Sequence, residues 1–386
     1  MVDKPVTSQG SENMNNKYAP IFQPFTLRSG VELKNRILMA PMTHSSSNPD
    51  GTVSEQELEY YAERAGGVSA VITACAYVHP TGKGFKNAFG IDHDNLIPGL
   101  TKLATTIKNK RAKAILQIFH AGRMSPPELL ENNLPISASA VAPEREGAVT
   151  PREMTVEEIE DMVQAFKEAT RRAIESGFNG VEIHGANTYL IQQFFSPHSN
   201  RRTDEWGGSL EKRMKFPLAI VEAVKSAVKE HAKEPFIVGY RLSPEERENP
   251  GITMEDTLQF VDVLADQGLD YIHVSARDFY AGSMRDESDK RSRITLIHEK
   301  VGNRVPVIGV GLLHTPDDVL RALETGIPLI ALGRELIMEP NWVEKVSEGR
   351  VEEIRTTISK TSQKELVIPD PLWHMIMNVP GWFPVE

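Results

Sequence analysis

Short, uninterrupted apolar runs recur along most of the chain and alternate with longer amphipathic segments. This alternation is typical of repeated βα units, in which a helix returns the chain to the same end of a parallel sheet. The runs are continuous rather than alternating, as expected for strands that are covered on both faces. Eight strands are predicted, at residues 37–42, 69–77, 113–120, 180–184, 236–242, 271–275, 305–311 and 329–332.

The amphipathic segments carry residues that start and stop helices. Thr155 and Glu158 form a capping box at the start of one helix, and Gly177 follows its end. The clearest helices are predicted at residues 156–176, 210–231, 254–267 and 315–325. Eight βα repeats favour an α/β fold of the (β/α)8 TIM-barrel type, with a doubly wound sheet as the alternative.

Four segments complete the predicted organisation. Residues 21–36 are predicted to form a β-hairpin around Ser29 and Gly30 that closes the bottom of the barrel. Residues 122–154 form a Pro-rich excursion after strand 3, too long for a plain βα connection and therefore expected to line the substrate site. Residues 1–17 are polar and expected to be mobile, 18–350 form the barrel, and 351–386 are expected to pack on it or on a partner subunit.

Charge and cysteine content narrow the classes of function. The net charge of −10 disfavours nucleic acid or an anionic membrane as a partner, because both require a basic face. Cys75 is the only cysteine, so an intrachain disulfide and a multi-cysteine metal site are excluded. With no apolar leader and no long apolar run, we expect a cytoplasmic enzyme for small molecules, without a bound metal.

Two glycine-containing loops are predicted at the carboxyl ends of strands 7 and 8. Gly311-Leu312 and Gly333-Arg334 occupy the positions at which TIM barrels commonly bind phosphate through backbone N–H groups. Either loop alone is equally compatible with an ordinary turn and a surface arginine. Because the two loops agree, the sequence favours a phosphorylated ligand.

Other polar residues end or interrupt the strands. Pro41, Thr43 and Gln117 are compatible with a flat hydrogen-bonding ligand, and equally with turn and core roles. His120 by itself indicates a structural histidine. Arg241 lies within strand 5, where a buried cation needs either a carboxylate or an electron-rich ligand.

A histidine, an amide and a phenol cluster after strand 4. His184, Asn187 and Tyr189 fall within six residues at the predicted catalytic face. Two hydrogen-bond donors and an acid form a set that can hold a carbonyl oxygen and deliver a proton. Spacing alone leaves a structural interpretation open, in which His184 and Asn187 cap the end of the strand and Tyr189 packs on the core.

Several of these segments together resemble one family. Ala40-Pro41-Met42-Thr43, Gln117 with His120-Ala-Gly-Arg123, residues 184–213 with their SPHSNRRTDEWGGS core, and Gly333-Arg334 are similar to the Old Yellow Enzyme family of FMN-dependent ene reductases. The similarity covers residues 21 to about 350, and its thirty-residue central motif is highly specific. Larger relatives add a four-cysteine cluster and a second flavin domain, which this sequence lacks.

The resemblance implies a tightly bound, non-covalent FMN on the upper face of the barrel. It assigns the flavin ring to Pro41, Met42, Thr43, Ala74, Gln117 and Arg241, and the phosphate to Gly311, Leu312, Gly333 and Arg334. It further implies that His184 and Asn187 hold the carbonyl oxygen of an α,β-unsaturated carbonyl substrate while Tyr189 supplies a proton. NADH or NADPH would be the reductant in a ping-pong cycle, and members commonly form homo-oligomers.

Two alternatives to an ene reductase stay open. A phosphate-binding barrel lyase or isomerase would require a lysine, or carboxylates and a metal, at strand ends, and no lysine ends any of the eight predicted strands. An FMN-binding barrel without turnover would serve as a sensor or scaffold.

Overall fold

The computed structural model describes residues 17–386, and eight parallel strands within them form a closed ring. The strands are β1 (Ile37–Met39), β2 (Ala70–Ile72), β3 (Lys113–Phe119), β4 (Gly180–Gly185), β5 (Ile237–Leu242), β6 (Tyr271–Val274), β7 (Val307–Gly309) and β8 (Leu329–Leu332). Each pairs with its neighbours in chain order, and β8 pairs with β1 to complete the barrel. The predicted TIM barrel is confirmed, and the doubly wound alternative is wrong.

Helices surround the ring. The α-helices span Glu55–Arg64, Ile97–Lys108, Val156–Glu175, Leu190–Phe195, Leu210–Arg213, Lys215–His231, Met254–Ala265, Arg293–Val301, Pro316–Glu324, Arg334–Met338, Trp342–Ser347 and Asp370–Asn378. The helix Val156–Glu175 begins at the predicted capping box, where Thr155 accepts from the Glu158 N–H and the Glu158 carboxylate accepts from the Thr155 N–H. Its buried residues recur along one face and pack on the core.

The segment before β1 forms an antiparallel pair, with Phe25–Thr26 against Glu32–Leu33. Leu27, Val31 and Leu33 from this hairpin pack with residues of the barrel interior, and the Ser29 N–H donates to Asp270, one residue before β6. The hairpin therefore covers the amino-terminal ends of the strands. Its position leaves the opposite, carboxyl-terminal rim for ligands.

The excursion after β3 is ordered by a short ladder between Ile136–Ser137 and Arg152–Glu153. Arg202, in the connection after β4, donates to the carbonyl oxygens of Ala138 and Met154 at 2.9 and 2.6 Å, so this excursion is tied to the loop that carries the catalytic candidates. Of the predicted mobile segment 1–17, residues 1–16 lie outside the described part of the chain.

Candidate active site

A cavity of about 350 Å³ opens at the carboxyl-terminal rim of the barrel. Eight of the residues predicted from sequence to bind a cofactor line it, namely Pro41, Met42, Thr43, Arg241, Gly311, Leu312, Gly333 and Arg334. The predicted residues Ala74 and Gln117 are outside its lining. Part of the cavity wall is formed by Met375 and Trp382 of the C-terminal segment. No sequence motif indicated a role for these two residues.

Arg241 projects from β5 into this cavity and is only 8% exposed. It lies in register between His184 on β4 and His273 on β6. Burial lowers the pKa of Arg241, and the nearby Glu182 opposes that shift, so the guanidinium keeps its charge. Its buried Nε has no hydrogen-bond partner among residues 17–386. A buried N–H without a partner fits an electron-rich ligand that accepts from it.

Glu182 is a fully buried carboxylate on β4, and no sequence motif indicated a role for it. It accepts from Gln117 Nε2 at 2.7 Å, Tyr271 Oη at 2.9 Å and His273 Nδ1 at 2.8 Å. Burial alone would raise the pKa of Glu182, but His273, Arg241 and Gln117 outweigh it and hold the pKa below its usual value. Glu182 therefore orients Gln117 and supplies negative charge near Arg241.

His184 ends β4 with a neutral, oriented imidazole. Its Nδ1 accepts from the Ala186 N–H at 3.3 Å, which leaves the ring proton on Nε2. Burial, reinforced by Arg241, lowers the pKa of His184 to about 3. At neutral pH the residue is thus a hydrogen-bond donor without a charge.

Asn187 is held by two serines that directly follow β5 and β6. Its N–H donates to Ser243 Oγ at 2.9 Å, and its Oδ1 accepts from Ser275 Oγ at 2.7 Å. Both Asn187 and Thr188 have left-handed backbone, with φ of 56° and 66°. Asparagine tolerates this conformation better than most residues. With Oδ1 engaged, the amide presents its NH₂ group as the free donor.

Tyr189 packs edge-on against His184, with ring centroids 5.0 Å apart, and against Phe119 at the same distance. Burial raises the pKa of Tyr189 well above its usual value, so the hydroxyl keeps its proton. His184 and Tyr189 are therefore in contact, whereas Asn187, in the same connection, lines the adjoining second cavity, and none of the three lines the first. The arrangement offers two neutral donors and one weak acid.

The loop after β7 has a constrained backbone, as expected of a phosphate site. Gly311 has φ of 123°, and a Cβ there would lie 2.8 Å from the backbone nitrogens of Asp278 and Phe279, so only glycine fits. Leu312 follows with φ of 50°. Arg334 donates through Nη1 to the Trp382 carbonyl at 2.5 Å, which fixes the guanidinium beside the cavity.

Other candidates have structural partners. His120 Nε2 hydrogen-bonds Thr81 Oγ1 at 2.8 Å and its Nδ1 accepts from the Gly122 N–H at 2.9 Å, in agreement with a structural histidine. The Ala74 N–H donates to Tyr61 Oη at 2.8 Å and is not available to a ligand. Cys75 is buried, and burial raises the pKa of its thiol, so it does not supply a thiolate.

A second cavity of about 480 Å³ adjoins the rim beside Asn187 and Thr188, on the side of the loops after β5 and β6. Ala276 and Arg277 line both cavities. Within residues 17–386, no cluster of three His, Cys, Asp or Glu residues has metal-site geometry. Over the same residues, every helix is too short or too polar for a membrane span.

Comparison with known proteins identifies relatives of this chain. Residues 20–353 match the model of the NADH:flavin oxidoreductase / NADH oxidase family. A probable NADH-dependent flavin oxidoreductase, YqiG of Bacillus subtilis (strain 168), is 53% identical over 373 residues, which cover 97% of this chain and 100% of the relative. An NADH:acrylate oxidoreductase of Vibrio harveyi is 48% identical over 363 residues, and the match covers 93% of this chain but 36% of that protein.

A comparison with solved structures finds the same barrel fold. Morphinone reductase in complex with tetrahydroNAD superimposes with a TM-score of 0.72 at 27% identity, and the match covers 86% of this chain and 91% of the other. The agreement extends over nearly the whole of that protein. The two chains therefore share one barrel architecture.

Proposed function

Since the chain belongs to the NADH:flavin oxidoreductase / NADH oxidase family and is thus an FMN-dependent NAD(P)H:flavin oxidoreductase, we propose that it reduces the activated C=C bond of α,β-unsaturated carbonyl compounds. The observation that carries the proposal is the contact of His184 with Tyr189, where His184 lies in register with Arg241 and Asn187 follows in the same connection. Two neutral donors and a protonated phenol match the needs of carbonyl activation and proton delivery.

The residues present fit FMN. The orphaned Nε of Arg241 suits the electron-rich edge of a flavin, and Gln117 is oriented by Glu182 for the pyrimidine edge. Gly311, Leu312, Gly333 and Arg334 line the end of the cavity that we assign to the phosphate. Bound FMN supplies hydride transfer between a nicotinamide and the substrate.

His184 and Asn187 act on the substrate oxygen. In this proposal Nε2–H of His184 and the amide NH₂ of Asn187 donate to the carbonyl oxygen and stabilise the negative charge that develops there. Both groups are neutral, since the pKa of His184 is about 3, so their donor roles do not depend on titration near pH 7. Ser275 keeps the Asn187 amide in the donor orientation.

Tyr189 acts as the proton donor to the α-carbon. Its hydroxyl lies on the same rim as His184, and burial raises its pKa so that it remains protonated until the substrate becomes basic. The adjoining cavity beside Asn187 offers room for the rest of a substrate or of NAD(P)H, which use the site in turn in a ping-pong cycle.

The test separates the two half-reactions. We expect the purified yellow protein to be bleached by NADH or NADPH under nitrogen and to regain its colour with 2-cyclohexenone, yielding cyclohexanone. Tyr189→Phe should slow the second half-reaction by about 10²–10⁴-fold and leave the first within about twofold, because general acid catalysis is lost. Phe85→Leu, which alters a ring stacked on Phe119 rather than the phenol, is the control. Wild-type rates of enone reduction in Tyr189→Phe would exclude Tyr189 as the acid.

A further inference from the structure

Half-buried His314 and fully buried Glu335 form a pair at the end of the cavity assigned above to the FMN phosphate. His314 lies in the loop after β7 and Glu335 in the segment after β8, and both line the cavity. His314 Nδ1 lies 3.1 Å from Glu335 Oε1, and the His314 carbonyl accepts from Trp342 Nε1 at 2.9 Å. The imidazole is therefore fixed at both its ring and its backbone.

Glu335 is 1% exposed, and within residues 17–386 its second oxygen, Oε2, has no hydrogen-bond partner although it is buried. A carboxylate in that position would carry an uncompensated buried charge. Burial, together with Glu339 and Asp318, raises the pKa of Glu335 to about 9. The group is therefore a neutral carboxylic acid at pH 7.

A neutral Glu335 fixes the tautomer of His314. Burial and the neighbouring Arg334 lower the pKa of His314, so the imidazole is neutral as well. Between two neutral groups, the carboxylic O–H is the stronger donor and the imidazole nitrogen the stronger acceptor, so the O–H donates to Nδ1 and the imidazole proton lies on Nε2. Nε2 has no hydrogen-bond partner among the described residues, and the side chain is 29% exposed.

We propose that His314 is an additional ligand of the FMN phosphate, donating through Nε2–H, and that Glu335 is the positioning residue that holds it in this tautomer. The inference rests on the placement of the phosphate in the proposed function. An ionised Glu335 would instead draw the proton to Nδ1 and turn the Nε2 lone pair toward an anion. A neutral acid avoids that repulsion and adds no negative charge next to a phosphate.

The test compares FMN with riboflavin, which lacks only the phosphate. Affinities of the FMN-free protein for both flavins are measured by quenching of flavin fluorescence. We expect His314→Ala to weaken FMN by about 10- to 100-fold, the range for one hydrogen bond to a charged group, and to leave riboflavin within about twofold. Riboflavin binding also reports whether the variant has folded.

Two variants test the positioning role. Glu335→Gln keeps a neutral side chain that can donate to Nδ1, so FMN affinity should stay within about threefold of wild type. Glu335→Ala should lose part of the FMN affinity, and the ³¹P resonance of bound FMN should shift toward its position in His314→Ala. The proposal is overturned if His314→Ala weakens both flavins equally or neither. Equal affinity of the wild-type protein for FMN and riboflavin would instead refute the phosphate placement itself.

Discussion

Glu182→Gln removes a buried charge toward which side chains from three other strands of the barrel point. The carboxylate on β4 accepts from Gln117 on β3 and from Tyr271 and His273 on β6, and Arg241 on β5 lies within its field. A hydrogen bond to a charged group contributes about 1.5–3 kcal/mol and a neutral one about 0.5–1.5 kcal/mol. The amide of the variant has one accepting oxygen and an NH₂ group that cannot accept, so one bond is lost and two become neutral, a loss of about 3–5 kcal/mol.

Breaking a buried ion pair costs about 3–5 kcal/mol, and this figure describes the same loss of charge rather than an addition to it. We therefore expect Glu182→Gln to lower the free energy of unfolding by about 3–5 kcal/mol. The measurement is urea unfolding at a fixed FMN concentration, because bound ligand adds to apparent stability. An unchanged m-value would show that the native state, rather than the extent of unfolding, was altered.

Glu205→Gln is the matched control. Glu205 pairs with Lys215 at 2.5 Å, but the two side chains are 60% and 38% exposed. Such surface pairs contribute about 0–1 kcal/mol. If Glu182→Gln costs no more than this control, the Glu182 carboxylate does not organise the barrel interior.

Three further predictions concern the rim. Ser275→Ala frees the Asn187 amide and should slow enone reduction about tenfold, because one hydrogen bond is lost. In an Asn187→Ala background the same change should have no further effect on the rate. Additive losses in this double-mutant cycle would contradict the coupling of Ser275 to Asn187. Because the pKa of His184 is about 3, single-turnover enone reduction should show no ionisation of His184 between pH 5 and 8, and His184→Asn should keep the shape of the wild-type pH profile. The raised pKa of Glu335 contributes stability that is present below pH 4.5 and is lost as the pH rises toward 9. The free energy of unfolding of Glu335→Gln, relative to that of wild type, should therefore increase with pH by up to about 1.4 kcal/mol per pH unit. A difference in urea unfolding that does not depend on pH would show that Glu335 is ionised in the folded protein.

The strands were predictable because a parallel barrel buries both faces of each strand and so requires continuous apolar runs. The ends of the strands were less predictable. Residues 69–77 were predicted as one strand, but the ladder of β2 stops at Ile72 and a separate strand, Ala76–Tyr77, pairs further along β3. The break occurs where the Ala74 N–H donates to Tyr61 of a preceding helix, a contact that no local pattern reports.

The site was predictable in part for the same reason. The residues at the carboxyl ends of strands had to meet at one rim, and the motif after β4 is compact. Glu182 was visible as a charge inside an apolar run, but its partners are 65 to 91 residues away in the sequence. Assigning them requires the register of three strands. Trp382 and Met375 lie beyond the βα repeats, so periodicity gave no reason to place them at the cavity.

The distribution of charge at the rim favours a ligand on which negative charge develops. Arg241 is a buried cation that Glu182 balances, and His184 and Tyr189, to which the proposed function assigns the substrate, are neutral at pH 7. A fixed positive charge beside neutral donors stabilises negative charge as it develops on the ligand and needs no proton from solvent. A charged His184 would repel the neighbouring Arg241 guanidinium and destabilise the folded protein. The low pKa of His184 therefore serves both stability and chemistry.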